Sequence, residues 1–279
     1  MKPSPPLSDW RLDLPWPGPD THKHQRGRLG VVSGRAHQTG AARLAARAGL
    51  RIGAGVVRIL CPPDATTVIA QAIEAVMLTP FGSVEALIEA VEGMDAVVIG
   101  PAAGITDATR ANVRALAATG AALIVDADAL TVFEGWPQDL FEVLDRDDVL
   151  TPHEGEFKRL FPDLLDKGRE AAAREAAKRV GCIVLLKGAQ TLVAAPDGRL
   201  AVNDNGTPWL ATAGSGDVLA GMIGGLMAQR MDSFDAARAA AWMHAEAACS
   251  FGPGLIAEDL PERLPGVLSA LYDRRPESL

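Results

Sequence analysis

From Arg28 onward, short apolar, β-branched runs that end in Gly, Pro or Asp alternate with longer Ala-rich stretches of helical period. That alternation leaves few options. Each run is too apolar to face water on either side, so it belongs in a parallel sheet covered by helices on both faces. The runs predict strands over 29–33, 56–60, 96–99, 122–125 and 183–186, with a shorter one at 148–150. Helices are expected over 40–52, 84–92, 107–118, 154–160, 167–180, 216–229 and 235–250. Late in the chain, 191–195 and 200–203 flank Pro196-Asp197-Gly198-Arg199, a hairpin signature that adds antiparallel strands. The expected class is α/β, a mainly parallel central sheet covered on both faces and ending in an antiparallel hairpin. Residues 1–26 are rich in Pro and polar groups and are expected to form an irregular lead-in that belongs to no core, with 27–279 a single domain.

In an open sheet of this kind, ligands bind beyond the carboxyl ends of the strands, so the residues that follow each run carry the chemistry. The richest string is Ala211-Thr212-Ala213-Gly214-Ser215-Gly216-Asp217, directly ahead of the apolar helical run that starts at Val218. Glycines let backbone approach a ligand, and the amides of Gly214, Ser215 and Gly216 with the positive end of the helix dipole form an anion hole for a transferring phosphoryl group. Asp217, in the first turn, can take the proton of an attacking hydroxyl. The same string also reads as a glycine-rich helix start with Asp217 as a capping carboxylate.

Lys187 and Gly188, after a buried strand, can bring charge and backbone to a nucleotide phosphate, or Lys187 can simply snorkel at the strand end. His153, after Pro152, can hydrogen-bond a ligand or cap a helix. Asp126 and Asp128 can hold magnesium through water or form a solvated turn. The basic cluster His22, Lys23, His24, Arg26 and Arg28 reads as a solvated entry segment. Neither G-x-x-x-x-G-K-[ST] nor G-x-G-x-x-G occurs, which disfavours a P-loop or an ordinary dinucleotide site.

Composition closes off other classes. A formal net charge of −8 argues against a nucleic-acid partner, which needs clustered Lys and Arg. Cys61, Cys182 and Cys249 lie far apart and are expected to be buried small hydrophobes in a reducing interior. No run approaches the roughly 18 to 20 apolar residues that cross a bilayer, and the start of the chain lacks a signal-peptide core, so a soluble, cytoplasmic protein with no membrane partner is expected.

Six ordered strings together resemble the ADP- or ATP-dependent NAD(P)H-hydrate dehydratases, a branch of the ribokinase-like superfamily. They are Arg51-Ile52-Gly53-Ala54-Gly55-Val56, Ile99-Gly100-Pro101, Asp126-Ala127-Asp128-Ala129-Leu130, Leu150-Thr151-Pro152-His153-Glu154-Gly155-Glu156-Phe157, Leu186-Lys187-Gly188-Ala189 and Gly214-Ser215-Gly216-Asp217-Val218-Leu219-Ala220-Gly221. Gly40-Ala41-Ala42, opening a helix, agrees as well. His153 stands where related vitamin kinases typically carry Asn.

The resemblance implies a ribokinase-like fold and dehydration of hydrated NADH or NADPH through phosphorylation of the ring hydroxyl, with ADP or ATP as co-substrate and magnesium as cofactor. It implies that Lys187, Gly188, Ala189, Gln190, Thr191 and Gly216 contact the adenine nucleotide. Ala41, Gly104, His153 and Asp217 would then face the hydrated dinucleotide, with Asp217 the base. A homo-oligomer, often a tetramer, is implied too. Many members carry an epimerase domain ahead of this one, for which 279 residues leave no room, so a stand-alone dehydratase or a fragment is expected. Two departures stand out, Ala102 and Ala213, where the family has glycine. Two rivals share the sequence features: a small-molecule kinase that releases its phosphorylated product, and a nucleotide-binding regulator without turnover.

Overall fold

The computed structural model describes residues 14–275. Nine strands form one sheet in the order β3-β2-β1-β4-β5-β6-β7-β8-β9: β1 Arg28–Val32, β2 Val56–Cys61, β3 Met77–Pro80, β4 Ala96–Ile99, β5 Ala122–Val125, β6 Val149–Leu150, β7 Ile183–Leu186, β8 Thr191–Ala194 and β9 Leu200–Asn203. The first seven run parallel, and β8 and β9 are antiparallel additions. Within one strand the side chains divide between two cores. Ala96 and Val98 of β4 join one, Val97 and Ile99 the other, and β7 divides Ile183 and Leu185 from Val184 and Leu186 in the same way. This two-sided burial is why the strands read as unbroken apolar runs.

Helices α1 (Gly40–Arg51), α9 (Ser215–Ala228), α10 (Ser233–Phe251) and α11 (Asp259–Tyr272) cover one face, with the single turn α2 (Thr66–Ala70). The other face carries α3 (Val84–Ala90), α4 (Asp107–Ala117), α5 (Asp128–Thr131), α6 (Pro137–Phe141), α7 (Glu154–Leu160) and α8 (Arg169–Val180). Ser83 and Thr106 cap α3 and α4 through their hydroxyls, and α8 stops at Gly181 in the left-handed region. Helix α9 lies over β1, β4 and β5, at the point where the strand order reverses. It is pinned there by contact with α1: a Cβ on Gly221 would stand 2.1 Å from the Ala45 carbonyl oxygen. Only glycine permits that approach.

Strand and helix positions agree with the sequence expectations to within a few residues, and five elements, β3, α2, α5, α6 and α11, go beyond them. Edge strand β3 is half exposed and carries no apolar run, so nothing local announces it. Helices α5 and α6 are single turns. Helix α11 holds Pro261 and Pro265, which read as breakers; Pro261 sits in the first turn, where no intrahelical donor is lost. The lead-in expectation is corrected for its second half. Leu14 is buried in the core and Trp16 packs against it, edge-on to Tyr272 at 5.2 Å, because two large apolar groups outweigh the prolines around them. Residues 1–13 lie outside the described residues. Cys61 and Cys182 are buried as expected, but Cys249 is exposed, on the outer side of α10. Among the described residues no helix is long and apolar enough to cross a membrane.

Candidate active site

Loops from the carboxyl ends of β4 and β5 meet at one crowded contact. A Cβ on Gly100, whose φ is 129°, would stand 1.7 Å from the Asp126 carbonyl oxygen, so this approach demands glycine. Next to it Ala127 holds φ 48° and ψ −119°, a strained conformation that sends the carboxylates on either side of it to different partners. Asp128 accepts the Gly104 amide hydrogen at 2.8 Å, fixing the glycine loop after β4. Asp126 is 1% exposed and takes the Lys187 ammonium at 2.7 Å.

Lys187 leaves the end of β7 and stands among carboxylates: Asp126 and, at 3.8 Å, Glu156. Burial pulls its pKa down, but the charges of Asp126 and Glu156 outweigh that and hold it above the usual lysine range. Burial likewise pushes Glu156 up, against the pull of Lys187. Glu156 also closes a capping box on α7. Its Oε2 accepts the His153 amide at 2.8 Å, while His153 Nδ1 accepts the amides of Gly155 and Glu156 at 2.9 and 3.2 Å. That bonding leaves the ring proton on Nε2, 3.3 Å from Glu156 Oε1. His153 is therefore a helix cap, and the same side chain also lines the cavity described below.

At the start of α9, Gly214 adopts φ 88° and is pressed by Leu44 and Ala257. Ser215 Oγ donates to the Leu210 carbonyl at 2.8 Å and the Ser215 amide to the Thr212 carbonyl at 3.4 Å, while the amides of Gly216 and Asp217, in the first turn, have no intrahelical acceptors. A Cβ on Gly216 would lie 3.6 Å from Lys187 Nζ, so the ammonium sits beneath those amides. Positive charge and amide dipoles thus converge on one spot. Burial, helped by the negative charges of Asp126 and Asp128 and opposed by Lys187, raises the Asp217 carboxyl to about 6. Above that pH it is an ionised base, and a stronger one than an ordinary aspartate.

A cavity of about 540 Å³ opens beside this cluster, walled by His153, Lys187, Gly188, Ala189, Thr191, Ser215 and Gly216 among others. The structure therefore gathers most of the residues expected around a nucleotide into one wall. Gln190 is not part of it; its carbonyl accepts from Arg169 at 2.9 Å, and the guanidinium lies against Gly188, setting the shape of that loop. Gly214, Asp217, Gly104 and Ala41 lie outside this wall. Gly104 follows β4 and Ala41, in the first turn of α1, follows β1, the two neighbouring strands at which the strand order reverses.

Local reading missed Asn203, Pro208, Leu210 and His244 in the wall. His244 is buried, with Nε2 donating to the Ser215 carbonyl at 2.9 Å, and burial drives its pKa down to about 4. Its one sequence signal is a lone histidine in the small-residue face of α10. Asp126 and Asp128 are not a solvated turn, since one is ion-paired in the interior and the other holds Gly104. Among the described residues no three His, Cys, Asp or Glu side chains cluster closely enough to hold a metal ion.

The sequence model of the NAD(P)H-hydrate dehydratase family matches residues 29–264. The chain is 38% identical over 283 aligned positions to a bifunctional NAD(P)H-hydrate repair enzyme of Methanopyrus kandleri, covering 97% of this chain and 54% of that one. It spans about half the length of such bifunctional relatives. It is 37% identical to an ADP-dependent (S)-NAD(P)H-hydrate dehydratase of Xanthomonas campestris, covering 92% of this chain and 93% of the relative. Among solved structures, an ADP/ATP-dependent NAD(P)H-hydrate dehydratase from Bacillus subtilis, co-crystallised with ATP and Mg2+, superposes with a TM-score of 0.80 at 26% identity, covering 94% and 96% of the two chains. With the family model matching most of its length on a ribokinase-like sheet, the chain belongs to the NAD(P)H-hydrate dehydratase family.

Proposed function

We propose that this protein dehydrates hydrated NADH or NADPH to the dihydronicotinamide, using ADP or ATP to make the departing oxygen a good leaving group. The observation that carries this reading is Asp217, a carboxyl raised to about 6, set in the first turn of α9 beside amides and the Lys187 ammonium. A base poised near neutrality at an anion site suits proton removal from an alcohol as a phosphoryl group arrives.

In the proposed reaction the ring hydroxyl attacks the terminal phosphorus of the nucleotide. Asp217 accepts the hydroxyl proton, an O–P bond forms to the ring oxygen, and the bond to the leaving nucleotide breaks. Phosphate then departs with the electron pair of its C–O bond while the adjacent ring carbon gives up a proton, restoring the double bond. The first-turn amides of Gly216 and Asp217 face the charge that develops on the phosphoryl oxygens. Lys187, Gly188, Ala189 and Thr191 would form the nucleotide's wall, and Gly104, Ala41 and His153 would face the dinucleotide. The described residues offer no three-ligand metal cluster, so magnesium belongs to the proposal as counter-ion of the nucleotide's phosphates rather than as a resident metal.

The test is to mix the protein with hydrated NADH, ADP or ATP, and magnesium, and to follow the return of dihydronicotinamide absorbance. Wild type restores it, with kcat/KM falling as pH drops below about 6 and Asp217 takes up a proton. Asp217→Asn should be slower by roughly a hundredfold or more. An accumulating phosphorylated product, or an Asn variant at wild-type speed, would overturn the proposal.

A further inference from the structure

Gly188 is expected from the sequence to admit a nucleotide against its backbone, but the space beside it is filled from within the protein. A Cβ at this position would stand 2.5 Å from both terminal nitrogens of Arg169 and 2.9 Å from its Cζ, nearer than any other atom outside its chain neighbours. Gly188 is not among the glycines with positive φ, so alanine suits its backbone, and it is the guanidinium that stands in the methyl's place.

Arg169, the first residue of α8, reaches two other parts of the fold. One terminal nitrogen donates to Glu154 Oε1 at 2.5 Å; the other donates to the Gln190 carbonyl at 2.9 Å and, less closely, to the Lys187 carbonyl at 3.4 Å. Glu154 opens α7, and the Lys187 amide donates to the Pro152 carbonyl at 2.8 Å, so the start of α7 and the 187–190 connection between β7 and β8 are tied together by one group of contacts. A guanidinium fits this task because its donors point in fixed directions in one plane. Arg169 does not itself line the cavity of about 540 Å³, whereas Lys187, Gly188 and Ala189 do. Its effect on a ligand there passes through the main chain it holds. A connection already fixed in shape costs a ligand less ordering when it binds.

We propose that Arg169 is a positioning residue for the nucleotide: it sets the main chain of Lys187–Gln190 in the shape the nucleotide meets, and Gly188 is a glycine so that the guanidinium can lie there. The inference rests on the function proposed above, which assigns this wall to the nucleotide. His153, expected to face the dinucleotide, is held by its own capping box with Glu156 rather than by Arg169. Loss of Arg169 should therefore fall on the nucleotide alone.

In turnover with ADP, magnesium and hydrated NADH, Arg169→Ala should raise KM for ADP about tenfold while kcat and KM for hydrated NADH stay within about twofold of wild type. Arg169→Lys should not rescue it, since one ammonium can keep the Glu154 pair but not the two carbonyls with it. Gly188→Ala puts a methyl where the guanidinium lies and should raise KM for ADP to a similar degree, and the double variant should be no worse than either single change. Gly188→Ala tests the same contact if Arg169→Ala does not fold. An unchanged KM for ADP in Arg169→Ala, rescue by lysine, or additive effects in the double variant overturns the positioning role. Calorimetry on the full chain with AMP as probe keeps that role apart from the reaction. Arg169-dependent AMP binding without restored absorbance sinks the dehydration and leaves the positioning role standing, whereas a wild type that binds no AMP sinks both.

Discussion

Ala102 is one of two places where a methyl replaces an expected glycine, and it adopts φ 55°, in the left-handed region. Ala213, the other, does not, since its neighbour Gly214 takes the positive φ at the helix start. The two departures therefore differ in consequence. Only the first stores strain, at a loop that closes on Gly34, where a Cβ would lie 2.0 Å from the Ala102 carbonyl oxygen. Ala102→Gly relieves a conformation that costs an alanine roughly 1 kcal/mol or more and adds back some unfolded-state entropy, so it should stabilise the protein by about 0.5 to 1 kcal/mol. Chemical denaturation measures this; a variant less stable than wild type would mean that the methyl packs usefully. Single residues were only partly legible. The string from Gly214 to Asp217 announced its chemistry because a helix start is local. Lys187 and Asp126 lie 61 positions apart, so nothing in either neighbourhood showed that the ammonium is already paired.

Strand β6 is two residues long and is held in the sheet largely by the residue before it. Asp148, 4% exposed, accepts the Leu123 amide at 2.7 Å and the Asp145 amide at 2.9 Å, tying the start of β5 to the turn ahead of β6. Asp148→Ala strands two donors in the interior and should cost about 2 to 4 kcal/mol, read as a lower denaturation midpoint at unchanged slope. A loss under about 1 kcal/mol would mean that water reaches those amides. Elements of this sheet were legible in proportion to their burial. β4 and β7 are covered on both faces and so spell out four apolar residues each, whereas edge strand β3 needs no such run. Helix α11 was hidden by its prolines, and what makes it a helix is the burial of Leu260, Leu264 and Leu271 against α1 and α10.

Across the whole molecule, buried ionisable groups set opposing responses to acid. Burial holds His244 neutral with a pKa near 4, so below the unfolded value of 6.5 the unfolded chain takes a proton that the folded one refuses. Its contribution is intact above about pH 6.5 and lost progressively towards pH 4, roughly 3 kcal/mol in all. Burial raises Asp148 to about 7 against its two amide bonds, and this works the other way, favouring the folded state as pH falls from 7 towards 4. Asp217, raised to about 6, acts in the same direction as Asp148, so His244 alone among these groups opposes the folded state in acid, and His244→Gln should gain stability relative to wild type as pH drops from 7 to 4.5. Parallel melting curves over that range would show that His244 is charged in the fold. The sequence by itself determined the layered parallel sheet, its closing hairpin and the glycine-rich helix start, because these follow from periodicity, turn chemistry and backbone freedom within a dozen residues. Only the tertiary structure decided that Lys187 is locked to Asp126, that His153 caps a helix while facing a cavity, and that His244 lines the same cavity as Lys187. Those facts depend on which strand ends and helix starts meet in space, and residues brought together over a sheet leave no mark on each other's neighbourhoods in the chain.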